Sequence, residues 1–144
     1  MATDRRAEVT WNGSLLEGSG TIDSSTSGVI GGQTVSWKAR STDEAGGSTS
    51  PEELIAAAHA ACFSMALSSG LSKEGHPPDE LKTSATVTFQ PGEGIVKIAL
   101  AVEANVPGID AAAFQTAAEV AKENCPVSKA LAGVPEITLA ATLA

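Results

Sequence analysis

The sequence predicts an α+β fold in which antiparallel sheets surround a central helix. Short alternating segments come in pairs joined by turns, near the start and in the middle of the chain, and the helical segments are grouped apart from them. The long helix is predicted in SPEELIAAAHAACFSMALSSG, residues 50–70, whose many alanines allow neighbouring elements to approach closely. The 144 residues predict a single domain over 1–144.

The first 40 residues predict three short strands. The first strand alternates through AEVTWNG and stops at Asn12-Gly13, which is a hairpin signal. Two more strands are predicted in GSGTIDSSTSG and GQTVSWKAR, and the second of these ends at Arg40. A loop of small and polar residues, STDEAGGSTS, then leads to the long helix.

The start of that helix is well marked. Ser50 suits the N-cap, Pro51 suits the first helical position, and Glu53 completes a capping box. We expect the helix to fade at Gly70 or by Gly75.

The second half of the chain predicts two strands, two helices and a last strand. LKTSATVTF alternates cleanly, and QPGEG turns the chain into IVKIALAVEANV as an antiparallel partner. Asp110 can cap a helix through AAAFQTAAEVAKEN, and Cys125-Pro126 starts a short helix, PVSKALAG, ended by Gly133. EITLAATL is the closing strand.

The charge balance and the apolar runs restrict the class of partner. A net charge of −8 argues against nucleic acid or an anionic membrane. We find no secretory signal at the start, and we expect the longest apolar run, LIAAAHAACFSMAL, to be too short and too rich in alanine to span a bilayer. A cytoplasmic location is therefore expected, where a lone cysteine pair is more often reactive or metal-binding than structural.

The two cysteines are the first candidates for chemistry. Cys62 lies in the middle of the long helix, where a small buried hydrophobic role is the plain interpretation. Cys125 precedes Pro126 at a helix start, where unpaired N–H groups and the helix dipole favour a thiolate. The residues alone therefore make Cys125 the better-supported thiol of low pKa. A redox pair, in which one thiol attacks and the other resolves, is also possible, but the spacing leaves open whether the two meet.

Two histidines allow a different interpretation. His59 lies three residues before Cys62 on nearly the same helical face, and could lower the pKa of the thiol or bind a metal ion. Such a histidine is more often a hydrogen-bonded core residue. A zinc site built from His59, Cys62, His76 and Cys125 is conceivable, although no paired C-x-x-C spacing supports it.

Arg40 and Glu53 complete the set of candidates. Nine residues along a helix turn it by about 900° and span about 13 Å, so Glu53 faces away from Cys62 of its own helix. If Glu53 serves a thiol site, that site belongs to Cys62 of another subunit. Arg40 is by default a surface residue, but paired with Glu53 it could form a positioned guanidinium that stabilises a thiolate.

Taken together, these motifs resemble a known family. PEELIAAAHAACFSMALS, NCPVSKAL, VPGIDAAAF and the preceding arginine resemble the osmotically inducible protein C (OsmC) hydroperoxide reductases over nearly the whole chain. The residues around the two cysteines resemble the OsmC branch more than the organic hydroperoxide resistance (Ohr) branch. The resemblance implies an intertwined α+β homodimer with two sites at its interface, where the arginine and glutamate come from the subunit opposite the thiols.

The resemblance also implies a reaction and a set of roles. Cys62 would be the peroxidatic cysteine, Cys125 the resolving cysteine, Arg40 the activating arginine and Glu53 the carboxylate that orients it. The implied activity is reduction of organic hydroperoxides by this cysteine pair, with hydrogen peroxide as a second candidate substrate. An external dithiol, of lipoyl type or a small molecule, would regenerate the thiols, with no metal or bound cofactor.

Cys62 as the attacker is compatible with a low pKa at Cys125 if Arg40 of the partner subunit activates Cys62 and the helix start makes Cys125 a good leaving thiol. Two other functions stay open. One is a non-catalytic dimer of the same fold that binds a small apolar ligand, with the cysteines as packing residues. The other is a domain stabilised by zinc.

Overall fold

The computed structural model describes residues 1–144, which form six strands and four helices. In chain order these are β1 (Ala7–Asn12), β2 (Ser19–Ser25), β3 (Thr34–Val35), α1 (Trp37–Ser41), α2 (Pro51–Lys73), β4 (Glu80–Gln90), β5 (Gly94–Asn105), α3 (Ala111–Asn124), α4 (Pro126–Ala130) and β6 (Glu136–Leu143). The predicted α+β class and the order of the main elements are confirmed. The chain forms two compact units, residues 1–54 and 55–144. The single domain expected over 1–144 stays a prediction.

The unit of residues 1–54 contains a three-stranded antiparallel sheet in the order β1-β2-β3. Its first turn begins at Gly13, where φ is +89°, a conformation that glycine adopts without the steric cost of a side chain. The connection occupies residues 13–18 rather than a tight two-residue turn. All six residues of β1 are exposed, including the apolar side chains of Val9 and Trp11.

The third predicted strand is mostly wrong. Only Thr34–Val35 pairs in the sheet, and the chain then turns into the short helix α1. The cause is local, because the Ser36 hydroxyl accepts a hydrogen bond from the Ala39 N–H at 3.1 Å and caps a helix. Arg40 therefore lies on α1 and not at the end of a strand.

The start of α2 follows the sequence signals in part. The Ser50 hydroxyl accepts a hydrogen bond from the Glu53 N–H at 3.2 Å, as an N-cap does. In a full capping box the Glu53 carboxylate would also accept a hydrogen bond from the Ser50 N–H. Here it accepts one from the Thr49 hydroxyl at 2.6 Å instead. The helix ends at Lys73, inside the predicted range.

By length and composition alone, α2 could cross a membrane, which differs from the expectation drawn from its apolar run. The core helix of a soluble protein passes the same test. In the structure, Phe63, Leu67 and Leu71 of this helix are fully buried and belong to one hydrophobic cluster with side chains of β5 and α3. In the unit of residues 55–144, α2 is therefore a core helix.

The sheet of this second unit has the order β4-β5-β6. β4 and β5 form the predicted antiparallel hairpin, and burial alternates along β4 as its sequence indicates. β6 pairs in parallel with β5, with Ile98 opposite Ile137. The expectation of purely antiparallel sheets is therefore wrong for this pair. The reason is that α3 and α4 lie between β5 and β6, and such a crossover returns the chain in the same direction.

Candidate active site

Two elements distant in sequence bring the cysteines together. Cys62 lies in the middle of α2 and Cys125 occupies the N-cap position of α4. The two thiols are free, and they lie close enough for each to shift the pKa of the other. Cys125 is fully buried, whereas Cys62 is partly exposed. A molecule arriving from solvent therefore has access to Cys62 before Cys125.

The pKa of the Cys125 thiol lies below its ordinary value. Burial is the largest single influence and acts in the opposite direction, because it disfavours a charged thiolate. Hydrogen bonds outweigh it, from the Ser128 N–H, the Cys62 thiol, the Ser128 hydroxyl and the Val127 N–H. The large sulfur does not close the short cap bond that an oxygen would make, but it lies at the positive end of α4. This agrees with the interpretation of Cys125 from its position in the sequence.

The pKa of the Cys62 thiol is raised instead. Burial is the main cause, followed by the interaction with Cys125, while the Val127 N–H acts in the other direction and the charge of Cys125 makes the smallest contribution. The pKa values of the two thiols are therefore shifted in opposite directions, so that Cys125 is the more readily ionised of the pair. A nucleophilic Cys62 needs a further positive charge.

His59 belongs to the same part of the second unit. It is fully buried, and its Nε2 lies 2.7 Å from the Ser128 Oγ. The interpretation of His59 as a hydrogen-bonded core residue is therefore confirmed. No three or more His, Cys, Asp and Glu side chains are grouped so as to hold a metal ion, so the zinc site considered from the sequence is not formed.

Arg40 forms its ion pair with Glu52. The Arg40 Nε donates to Glu52 Oε1 at 2.9 Å, and the Glu52 side chain is only 8% exposed. The pairing of Arg40 with Glu53 expected from the sequence is not formed, because Glu53 is exposed and accepts its hydrogen bond from Thr49. Consecutive residues of a helix point about 100° apart, so only one of the two glutamates faces the arginine. The sequence contained a signal for Glu52 as the partner of Arg40. Because Glu53 was assigned to the helix cap, its neighbour Glu52 was the carboxylate that had no local hydrogen-bonding role.

An apolar cavity lies beside this ion pair within the unit of residues 1–54. Its volume is about 370 Å³. It is lined by Trp11, Leu15, Val35, Ser36, Trp37, Arg40 and Pro51. A guanidinium at the wall of an apolar cavity can bind a polar group whose substituent is apolar.

The candidate residues fall into two sets. Cys62 and Cys125 belong to the unit of residues 55–144, and Arg40 and Glu52 belong to the unit of residues 1–54. Within the first set the thiols shift each other's pKa, and within the second set the charges are paired.

Comparison with known proteins identifies a family and named relatives of this chain. Residues 43–140 match the family described as OsmC-like protein. The chain is 44% identical over 142 residues to Peroxiredoxin OsmC of Escherichia coli (strain K12), covering 96% of each protein. It is 37% identical over 100 residues to the Organic hydroperoxide resistance protein of Xanthomonas axonopodis pv. citri (strain 306), covering 65% of this chain and 67% of that protein.

Solved structures show the same fold. An organic hydroperoxide resistance protein from Elizabethkingia anophelis, with crystallant-derived thiocyanate bound, matches with a TM-score of 0.70 at 26% identity and 100% coverage of both chains. An OsmC structure from Legionella pneumophila matches with a TM-score of 0.65 at 22% identity, covering 95% of this chain and 96% of that one. The resemblance indicated by the two cysteine motifs is thereby confirmed, and the chain belongs to the OsmC-like protein family.

Proposed function

We propose that this protein is a thiol-dependent peroxidase that reduces organic hydroperoxides to alcohols through Cys62 and Cys125. One observation carries the proposal: two free thiols lie close enough to shift each other's pKa, and the more accessible one is Cys62. The names of the relatives, a peroxiredoxin and organic hydroperoxide resistance proteins, support a peroxidase-type role. A cytoplasmic location is part of the proposal, because both thiols must be kept reduced between cycles.

The proposed reaction has two steps and a recovery step. The Cys62 thiolate attacks the distal oxygen of the hydroperoxide, so that an S–O bond forms, the O–O bond breaks, and the departing alkoxide takes a proton to become the alcohol. The Cys125 thiolate then attacks the sulfenic sulfur of Cys62, an S–S bond forms, and the expelled hydroxide is protonated to water. An external dithiol, of lipoyl type or a small molecule, reduces the disulfide and is itself oxidised. The protein's own side chains supply every other group, without a bound cofactor.

Activation of Cys62 is assigned in this proposal to Arg40 of the partner subunit in a homodimer. Glu52, rather than Glu53, would hold the guanidinium, because Glu52 is the buried carboxylate that Arg40 contacts. A positive charge beside Cys62 would lower the pKa of this thiol, against the burial that raises it, and would favour Cys62 as the thiolate. The exposed apolar side chains of the first unit, which include Trp11, Leu15 and Leu16, are typical of a subunit interface.

The cavity beside Arg40 supports organic hydroperoxides as substrates. Its walls are mainly apolar and its volume of about 370 Å³ exceeds what hydrogen peroxide needs. We therefore expect kcat/KM for cumene hydroperoxide to exceed that for hydrogen peroxide by roughly 10-fold or more. A ratio of this size corresponds to the free energy gained by burying a few carbon atoms of the substrate. In Trp37→Ala, this ratio should fall because cumene hydroperoxide loses its contact, while the rate with hydrogen peroxide changes less. Equal kcat/KM values for the two peroxides in the wild type would contradict the preference.

A second function is favoured by the same cavity. A non-catalytic dimer could bind a small apolar ligand there, with the two cysteines acting only as packing residues. This alternative predicts that reduced protein binds apolar molecules but does not change its thiols when peroxide is added.

The test is a thiol count and an intact mass before and after one equivalent of cumene hydroperoxide. Reduced wild type should lose both thiols and become about 2 Da lighter, as a disulfide requires. Cys125→Ser should instead gain about 16 Da as a sulfenic acid, which a dimedone probe would locate at Cys62. Thiols that stay unchanged in the wild type would overturn the peroxidase and favour the ligand-binding function.

A further inference from the structure

We propose that His59 and Ser128 are positioning residues for the resolving thiol. In this arrangement His59 Nε2–H donates to Ser128 Oγ, and the Ser128 hydroxyl donates to the Cys125 sulfur. The effect is to prepare Cys125 as a thiolate for the disulfide-forming step. The inference rests on the proposed function, since it assigns a role in the second step of that reaction.

One contact and one position in a helix carry the inference. His59 Nε2 lies 2.7 Å from Ser128 Oγ, a short distance for such a bond, and both residues are buried. Ser128 is the third residue of α4, and the N3 position of a helix lies on the same side as the N-cap residue, which here is Cys125. The Ser128 hydroxyl is also one of the groups that lower the pKa of the Cys125 thiol, which agrees with this placement.

The direction of the hydrogen bonds from His59 through Ser128 to Cys125 follows from the number of hydrogens that the Ser128 hydroxyl carries. A serine hydroxyl has one hydrogen, so if Ser128 donates it to a thiolate, its oxygen must accept from His59. Neutral His59 then carries its hydrogen on Nε2 and leaves Nδ1 as a bare acceptor. Nδ1 is indeed buried without a hydrogen-bond partner. An unpaired lone pair is tolerated more readily in a protein interior than an unpaired N–H.

The surroundings keep His59 in this neutral form. Burial lowers the pKa of His59 below its ordinary value, because an imidazolium would be poorly solvated there. Protonation would also place a second N–H at Nδ1, where no acceptor lies within hydrogen-bonding distance. His59 therefore acts as a fixed donor rather than as a base.

The consequence for the reaction concerns the attack of Cys125 on the Cys62 sulfenic acid. The thiolate at Cys125 supplies the electron pair of the new S–S bond, hydroxide leaves Cys62, and a solvent proton converts it to water. A fixed Ser128 donor raises the fraction of Cys125 that is ionised at neutral pH. If Ser128 were free to turn, its hydrogen could go to His59 and the thiolate would lose a donor.

The first measurement is the ionisation of Cys125 in a Cys62→Ser background, followed by thiolate absorbance near 240 nm as pH is raised. We expect Ser128→Ala and His59→Leu to move the ionisation to higher pH. His59→Gln should stay near the parent protein, because the glutamine amide can reach the position of Nε2 and donate to Ser128. Ser64→Ala is the matched control, since this half-buried serine of α2 bonds to Thr83 and Ala60, not to Cys125.

The second measurement is the disulfide-forming phase after peroxide, in protein that retains both cysteines. Its rate constant at neutral pH should fall about three- to fivefold in Ser128→Ala and His59→Leu, because lost thiolate is partly offset by the higher nucleophilicity of the remaining thiolate. His59→Gln should restore it. Unchanged ionisation of Cys125 in Ser128→Ala, or equal behaviour of His59→Gln and His59→Leu, would overturn the inference.

These two readouts separate this inference from the proposed function. The ionisation of Cys125 is measured without peroxide, so it tests the hydrogen-bond chain even in a protein that has no peroxidase activity. A wild type that does not react with peroxide would overturn the proposed function and with it the role in the second step, while shifted Cys125 ionisation in the variants would still support the hydrogen bonds from His59 and Ser128. A wild type that reacts, combined with unshifted Cys125 ionisation in the variants, would overturn the role of His59 and Ser128 alone.

Discussion

Cys62→Ser is expected to abolish the reduction of cumene hydroperoxide, with a loss on the order of 10³-fold or more in kcat/KM. The reason is that a serine hydroxyl has no sulfur to take up the peroxide oxygen as a sulfenic acid, whereas Cys62 has one. Cys125→Ser should behave differently. It should still reduce one equivalent of peroxide per Cys62, but it should not form the intramolecular disulfide or turn over with a dithiol.

The measurement is a single-turnover experiment followed by steady-state turnover with dihydrolipoic acid as the probe reductant. Single-turnover data show which cysteine attacks, and steady-state data show which cysteine the reductant needs. The roles would be reversed if Cys62→Ser consumed peroxide with loss of the Cys125 thiol. Retained steady-state turnover in Cys125→Ser would show that this thiol is not required for resolution.

The adjacent glutamates should differ strongly in their effect on activity. Glu52→Gln is expected to lower kcat/KM by roughly 10- to 100-fold, because Arg40 loses the carboxylate that fixes its guanidinium. Glu53→Gln is the matched control, since it changes the same chemical group one residue later. Glu53 is exposed and bonds to Thr49, so this variant should stay within about twofold of wild type.

Two readouts distinguish orientation of Arg40 from a purely structural effect of Glu52. If the partner's Arg40 activates Cys62, the ionisation of Cys62 in a Cys125→Ser background should move to higher pH in Glu52→Gln and not in Glu53→Gln. Size-exclusion chromatography of each variant against the wild type would show whether the substitution changes the oligomeric state. A larger loss of activity in Glu53→Gln than in Glu52→Gln would restore the original assignment of Glu53.

Signals between neighbours in sequence predicted much of the fold correctly. Ser50 caps α2, Asp110 caps α3 through the Ala113 N–H, and Pro126 opens α4 behind Cys125. These predictions succeed because each cap is a contact between residues three apart or fewer, and such a contact forms whenever its helix forms. The third strand failed for a related reason, since Ser36 has the same capping ability and the sequence interpretation gave it no weight.

Contacts between distant segments account for what the sequence did not predict. The parallel pairing of β6 with β5 depends on how α3 and α4 return the chain to the sheet. The identity of the arginine's partner depends on which face of α2 is buried, and two neighbouring glutamates look alike in a one-dimensional pattern. The sequence placed Cys62 and Cys125 in one site only through the family resemblance, because their spacing left open whether the two thiols meet.

By itself the sequence determined the class of fold, the family, and the thiolate-favouring position of Cys125 at a helix start. Each of these depends on residues that are close together in the sequence, which form a helix cap, a hydrophobic period or a motif. Only the tertiary structure decided that the thiols lie close enough to shift each other's pKa, that Glu52 forms the ion pair with Arg40, and that His59 reaches Ser128. Those facts depend on packing, because burial selects one rotation of a helix and one crossing of two elements, and residues far apart in the chain then come within bonding distance.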